Sequence, residues 1–384
     1  MKIVIAPDSF KGSLKSPAVA RAMAAGARVV FPEAEIVELP VGDGGEGTLD
    51  ALVAGTGGSF QTRAVTGPLG EPVQARLGLL GDGETVFVEM AEASGLSLVP
   101  PERRDPLRAT TFGAGELIRA AWETGRPRLL IGIGGSATND GGAGALQALG
   151  IRFMDGAGRD LPPGGAALAE LASLDLSGFS PPPHVRHCVA CDVTNPLTGP
   201  EGASAVYGPQ KGASEEDIRT LDAALQHYAG VVTQNLGKNW SEAPGAGAAG
   251  GLGFALLAFL EAQLERGVRL VLDALRFDGH LRNADLVLTG EGRLDRQTLA
   301  FGKTLTGIGE RARKAGAPVL ALTGSVGADL GDYHAVGIRG VASIIPRPME
   351  LEEAMDRAAD LVEEGTLRLL EVFRAGCERR APGT

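Results

Sequence analysis

Met1-Lys-Ile-Val-Ile-Ala-Pro-Asp8 is a short apolar run that ends in proline and aspartate. The run is far shorter than the apolar core of a secretory leader, so it reads as a first buried β-strand over residues 2–6. A helical pattern follows over 16–30, with Ser16 expected as its N-cap and Pro17 as its first helical residue. The same texture returns as strands at 35–40, 284–289, 318–323 and 341–345. Helices are predicted over 47–53, 303–315 and 349–377, with Gly316 as a C-terminal stop. Buried strands alternating with helices are the signature of a parallel α/β sheet.

These pieces lie at the two ends of the chain, and the middle has another texture. Hairpin-like runs at 60–65, 72–80 and 85–90 precede a helix at 113–124 and a strand at 129–133. A proline-rich stretch at 161–183 and long helices at 215–236 and 251–267 come after. The expected fold is therefore α/β: a discontinuous Rossmann-like parallel-sheet domain over 1–62 and 280–384, with a second mixed α/β domain inserted at 63–279. The active site is expected in the cleft between them, beyond the carboxyl ends of strands. The pattern of 113–150 suits either domain.

The 384 residues suffice for two cores. A net charge of −11 argues against nucleic acid and anionic membrane as partners and leaves a small phosphorylated ligand. No apolar run approaches the roughly 18 residues of a membrane span, and the protein is expected to be cytoplasmic. Cys188 and Cys191 form a C-x-x-C beside His184 and His187. On an extended strand, positions i and i+3 face opposite sides, so these cysteines are read as core residues rather than as metal ligands or a redox pair.

Five clusters of glycine with acids or hydroxyls span the chain, at 40–48, 131–142, 190–196, 245–251 and 289–295. Glycine lets backbone N–H groups approach an anion, while neighbouring Asp, Asn or Thr can hold Mg²⁺ or a hydroxyl. Gly302-Lys303-Thr304 is not a P-loop, because Gln297 stands where that motif needs glycine. Gly245 to Gly250 spells G-x-G-x-x-G without a preceding strand. Gly132-Ile-Gly-Gly-Ser-Ala137 does follow a strand, which motivates a nicotinamide-dependent oxidoreductase as a rival. Ser136-Ala-Thr-Asn-Asp140, however, sets hydroxyl, amide and carboxylate groups at an expected helix start, which suits phosphoryl transfer. Lys11, Lys211 and Lys303 sit beside glycine in polar loops, as phosphate partners would. Asp8, Asp192 and Asp295 adjoin the carboxyl ends of strands, and Asn195-Pro196 tightens the chain after Asp192.

Taken together and in this order, the motifs resemble the type I glycerate kinases from end to end. The residues that carry the resemblance are Ala6 to Lys11, Gly42 to Thr48, Gly134 to Gly142, Ala190 to Leu197, Gly208 to Ala213, Pro244 to Gly251 and Thr289 to Asp295. Where that family runs His-Gly-Lys and then proline, this chain has Phe301-Gly-Lys303 and then Leu305, which removes the histidine and keeps the lysine. The resemblance implies ATP, Mg²⁺ and transfer to D-glycerate, with 2-phosphoglycerate expected ahead of 3-phosphoglycerate. An NAD(P)-dependent reductase of hydroxypyruvate or a related hydroxy acid is the alternative, but none of the five histidines lies in a glycine-acid cluster.

By residue type and position, Arg293, with Lys11, is expected to grip the substrate carboxylate, and Asp8, Ser9 and Asn195 to line the substrate. Asp192 would orient the hydroxyl. The catalytic set is Asp192, Lys11 and Asp295, with Mg²⁺ drawn from Asp43, Asp192 or Asp295. Gly134, Gly135, Ser136, Thr138 and Asn139 would embrace the nucleotide phosphates together with Lys211 or Lys303, and Glu291 would fix the local loop. A homo-oligomer is compatible with the sequence, which does not specify one.

Overall fold

The computed structural model describes residues 1–296 and 304–378, and these divide into two units. The first unit comprises Met1–Asp43, Asp50–Gly57 and Val271–Thr384; the second comprises Gly44–Leu49 and Gly58–Leu270. Residues 113–150 fall in the second.

The first unit contains β1 (Lys2–Ile5), α1 (Ser16–Val30), β2 (Glu35–Glu38) and most of α2 (Thr48–Thr56). The second carries β3 (Ser59–Thr66), β4 (Pro72–Leu79), β5 (Thr85–Glu89), α3 (Ala91–Ser94), α4 (Phe112–Glu123), β6 (Arg128–Gly132) and α5 (Ala143–Ala148). It continues through β7 (Arg152–Met154), β8 (Ser173–Asp175), β9 (Arg186–Ala190), α6 (Ala203–Tyr207), α7 (Glu215–Leu236), α8 (Ala248–Leu260) and β10 (Gln263–Glu265). The chain then runs through α9 (Gly267–Ala274), α10 (Phe277–His280), β11 (Leu286–Leu294), α11 (Thr304–Ala315), β12 (Val319–Val326), β13 (Ile338–Ser343), α12 (Leu351–Asp356) and α13 (Ala358–Glu378). Among these residues no helix is long and apolar enough to cross a membrane.

In the first unit the strand order is β13-β12-β11-β1-β2 and every pairing is parallel. Ile3, Val4 and Ile5 are fully buried, as a strand covered on both faces requires. Val19, Met23, Ala27 and Val30 recur at helical spacing along the buried face of α1. Gly26 lets α1 approach α13 closely, since a Cβ there would lie 2.4 Å from the Glu363 carbonyl.

The second unit has the order β10-β9-β6-β5-β4-β3, parallel from β10 to β5 and antiparallel beyond, with β7 and β8 as a separate pair. Cys188 is buried in β9, and Cys191 lies just past its end and donates its thiol to the Val193 carbonyl at 3.3 Å. Burial pushes both thiols upward from their ordinary range.

Several local expectations change. The N-cap of α1 is Lys15, without a side-chain cap bond, and Ser16 already lies inside the helix. The helix expected over 349–377 breaks at Arg357, which leaves helical geometry at φ −100° and ψ 15°. The helix expected over 251–267 stops at Glu261, whose left-handed φ of 49° turns the chain into β10. Lys303 lies outside the described residues, as does the start expected for its helix.

Residues 245–251 pack as a support beneath the loop at 138–141. Ala249, Gly250 and Gly251 take left-handed conformations, and the Gly250 carbonyl accepts the Gly141 N–H at 2.9 Å. A Cβ on Gly250 would come within 2.0 Å of the Thr138 carbonyl. Gly250→Ala is therefore expected to lower stability by about 3 kcal/mol. By contrast Gly230, exposed in α7 with nothing within 4 Å of a Cβ, should gain about 0.5–1 kcal/mol as alanine. Urea unfolding of the two variants measures both signs.

Candidate functional site

In the first unit the chemistry gathers at the carboxyl ends of β1, β2 and β11, where the chain leaves each strand and its next backbone bonds hold the exit. The Asp8 N–H donates to the Gly290 carbonyl at 2.8 Å and the Val41 N–H to the Pro7 carbonyl at 2.9 Å. One oxygen of the Asp8 carboxylate accepts the Ser9 N–H at 2.6 Å; the other accepts the Thr304 hydroxyl at 2.6 Å. Desolvation and then the charge of Asp43 push the Asp8 carboxyl up to about 6, against the opposing pull of its hydrogen bonds and of Lys11. A desolvated carboxyl shifted upward beside a second acid at a strand end makes Asp8 a candidate functional residue.

Lys11 is exposed in the turn between Phe10 and Leu14, where Gly12 takes a φ of 81°. Arg293 is exposed and pairs with Asp295 at 3.1 Å. The segment read as a loop around Glu291 is the continuation of β11. Its ladder with β12 runs through Glu291 opposite Thr323 and on to Leu294 opposite Val326. Strand alternation then puts Glu291 and Arg293 on one face of the sheet.

In the second unit the loop that leaves β6 is packed inward. Ser136, Thr138, Asn139 and Asp140 are all buried. Gly135 takes a φ of 76°, and a Cβ on Gly134 would lie 2.7 Å from the Gly45 Cα. Asp140 accepts four hydrogen bonds, from the Thr111 N–H and hydroxyl and from the N–H groups of Gly142 and Gly144. Asn139 donates to the Ser204 hydroxyl at 2.9 Å. The Thr138 hydroxyl oxygen and the Asn139 side-chain carbonyl have no hydrogen-bond partner among the described residues. Buried polar atoms in that state are places a bound ligand or water can satisfy.

Lys211 is buried and donates its ammonium to the Thr138 carbonyl at 2.6 Å. Desolvation lowers it to about 7, opposed by the charge of Asp140. It braces the loop from within. Asp192 is exposed just beyond β9, where its carboxylate accepts the Gly267 N–H at 2.9 Å. Asn195 donates to the Glu201 carbonyl and accepts the Tyr207 hydroxyl at 2.7 Å, which ties down the turn after Asp192.

Two residues, Glu89 and Thr111, escaped the sequence reading, which took Asp140 as the carboxylate of the 136–140 run. Glu89 is almost fully buried at the end of β5 and receives the N–H groups of Gly47 and Leu49, shaping the 44–49 turn. Thr111 and Asp140 join the starts of α4 and α5. The signal for Glu89 is a lone acid at the end of an apolar strand; Asp140, expected to serve phosphoryl transfer, is instead taken up by hydrogen bonds within the loop.

Asp8 and Asp43 repel each other, a strain that a hard divalent cation would relieve through oxygen donors. Among the described residues no three or more His, Cys, Asp or Glu side chains gather around one point. A cation here would take one or two carboxylates and complete its shell from a phosphate or water, as Mg²⁺ commonly does.

A family model described as the glycerate kinase family matches residues 3–374. The glycerate kinase of Bacillus subtilis (strain 168) is 51% identical over 364 residues, covering 94% of this chain and 95% of that protein. The glycerate 2-kinase of Escherichia coli (strain K12) is 50% identical, covering 94% of each. A crystal structure from Salmonella typhimurium LT2, provisionally named glycerate kinase 2, superposes with a TM-score of 0.89 at 48% identity. It covers 98% of this chain and 99% of that one. The chain belongs to the glycerate kinase family.

Proposed function

We propose that this chain transfers the γ-phosphoryl group of ATP to D-glycerate with Mg²⁺, giving 2-phosphoglycerate in the cytoplasm. The observation that carries this reading is end-to-end similarity to the named glycerate kinases at about half identity. The regiochemistry follows the name of the Escherichia coli relative.

The transfer forms a bond between a glycerate hydroxyl oxygen and the γ-phosphorus, breaks the β,γ-bridging P–O bond and releases the hydroxyl proton. Asp192 is assigned to orient that hydroxyl and accept the proton; its bond from the Gly267 N–H sets the carboxylate's direction. Arg293 is assigned to the glycerate carboxylate, because a planar guanidinium offers two parallel donors. Lys11 lies near enough to Asp8 to oppose its upward shift and is assigned to the same anionic substrate. Ser9 and Asn195 are assigned to the substrate as well, Asn195 through the turn it holds. Asp43, with Asp192 or Asp295, would hold Mg²⁺, which neutralises phosphate charge when bound. Gly134 to Asn139 and Glu291 are assigned to the nucleotide. Lys211 serves them by holding the Thr138 carbonyl rather than by touching phosphate.

Glycerate-stimulated release of ADP from ATP, followed by proton-coupled ³¹P NMR of the product, tests the activity and its position together. A doublet from phosphorus on the secondary oxygen is expected, and NAD⁺ reduction without ADP release would overturn the reading. Asp192→Asn should lower kcat by about a hundredfold or more. Arg293→Lys should raise KM for D-glycerate about tenfold with little change in kcat.

The raised Asp8 carboxyl has a consequence for stability. Below the ordinary value of 3.8 both folded and unfolded chains hold the proton. As pH rises from there to about 6 the folded chain keeps a proton the unfolded chain has lost, so stability falls through this window. In metal-free buffer at pH 7.5, Asp8→Asn should raise unfolding free energy by roughly 2–3 kcal/mol. The gain should vanish near pH 4 and be accompanied by loss of activity.

A further inference from the structure

A cavity of about 960 Å³ lies within the second unit, lined by Leu69, Leu107, Phe112 and Pro163 with Arg103 and Arg108. Its place follows from strand register. β4 runs antiparallel to β5 with Leu77 opposite Val88, so the turn at 67–71 projects past the carboxyl end of β5. The Thr110 N–H donates to the Pro68 carbonyl at 2.9 Å, and the Ala166 N–H to the Leu107 carbonyl at 3.1 Å, which closes three walls around the space. Ligands of parallel α/β sheets bind at this edge.

Neighbours of the lining residues Thr110, Phe112 and Ala166 touch the loop that leaves β6. Thr111 holds Asp140, and a Cβ on Gly165 would come within 2.2 Å of the Asn139 carbonyl. Arg108 makes no side-chain hydrogen bond or ion pair among the described residues. Arg103 pairs with Glu71, and both are exposed, so a ligand could displace that weak pair. Asp105 is the acid among the lining residues, and one of its oxygens accepts the Leu107 N–H at 3.2 Å. The balance is positive in a chain of net charge −11. Apolar walls suit a planar base, and a guanidinium suits phosphate; a purine nucleotide carries both.

We infer that this cavity holds the base and ribose of the donor nucleotide, with Arg108 engaging its phosphate, an assignment that rests on the kinase reading above. Calorimetric titration of the full chain with ADP, beside steady-state kinetics, tests it in Arg108→Gln and in Ala167→Trp, which fills the space. In both variants affinity for ADP should weaken about tenfold or more. KM for ATP should rise in parallel while KM for D-glycerate stays unchanged. Variants that melt like the wild type yet bind ADP with wild-type affinity would overturn the assignment. If the wild type released no ADP with glycerate, the kinase reading would fall by itself, and the ADP titration would still decide the cavity.

Discussion

A buried carboxylate organises the second unit. Asp140 has no exposed surface, and its four hydrogen bonds come from a threonine before α4 and from backbone groups that open α5. Desolvation raises its proton affinity and those donors pull it back. Removing the carboxylate would leave several buried donors unpaired, which costs about 1–3 kcal/mol for each. The glycines around it follow from this arrangement, because a Cβ on Gly144 would lie 2.2 Å from the Thr110 hydroxyl and 2.9 Å from Asp140 itself. Lys211 packs its buried amine near the same polar knot and donates to the Thr138 carbonyl.

The first unit uses a different economy. Its parallel sheet buries plain aliphatic strands and leaves its charged groups at the carboxyl edge, where Asp8 stays at a cost above pH 6. Under the proposed function, carboxylates that repel in the ligand-free chain would be the groups that meet a cation and a phosphate. That trade of stability for function is common where charge must be ready for a substrate.

The alternation of buried strand and helix was legible because apolar runs such as Ile3 to Ile5 and amphipathic helices such as α1 carry their period in the sequence. Strand ends were less legible. Glycines and an acid at 290–294 look like a loop, yet parallel pairing with β12 holds them extended. Helix ends at Glu261 and Arg357 were hidden too, since neither is glycine or proline and Glu261 turns through a left-handed conformation that its sequence does not announce.

Residue chemistry alone pointed to the glycine-acid clusters, since few other patterns combine close backbone approach with oxygen ligands. It could not sort them. Tertiary packing makes 245–251 a support beneath Thr138, turns Lys211 inward and recruits Glu89, 40 residues from Leu49 in sequence, to shape the 44–49 turn. Burial depends on which surfaces meet, and that is set by long-range contacts that no local pattern encodes.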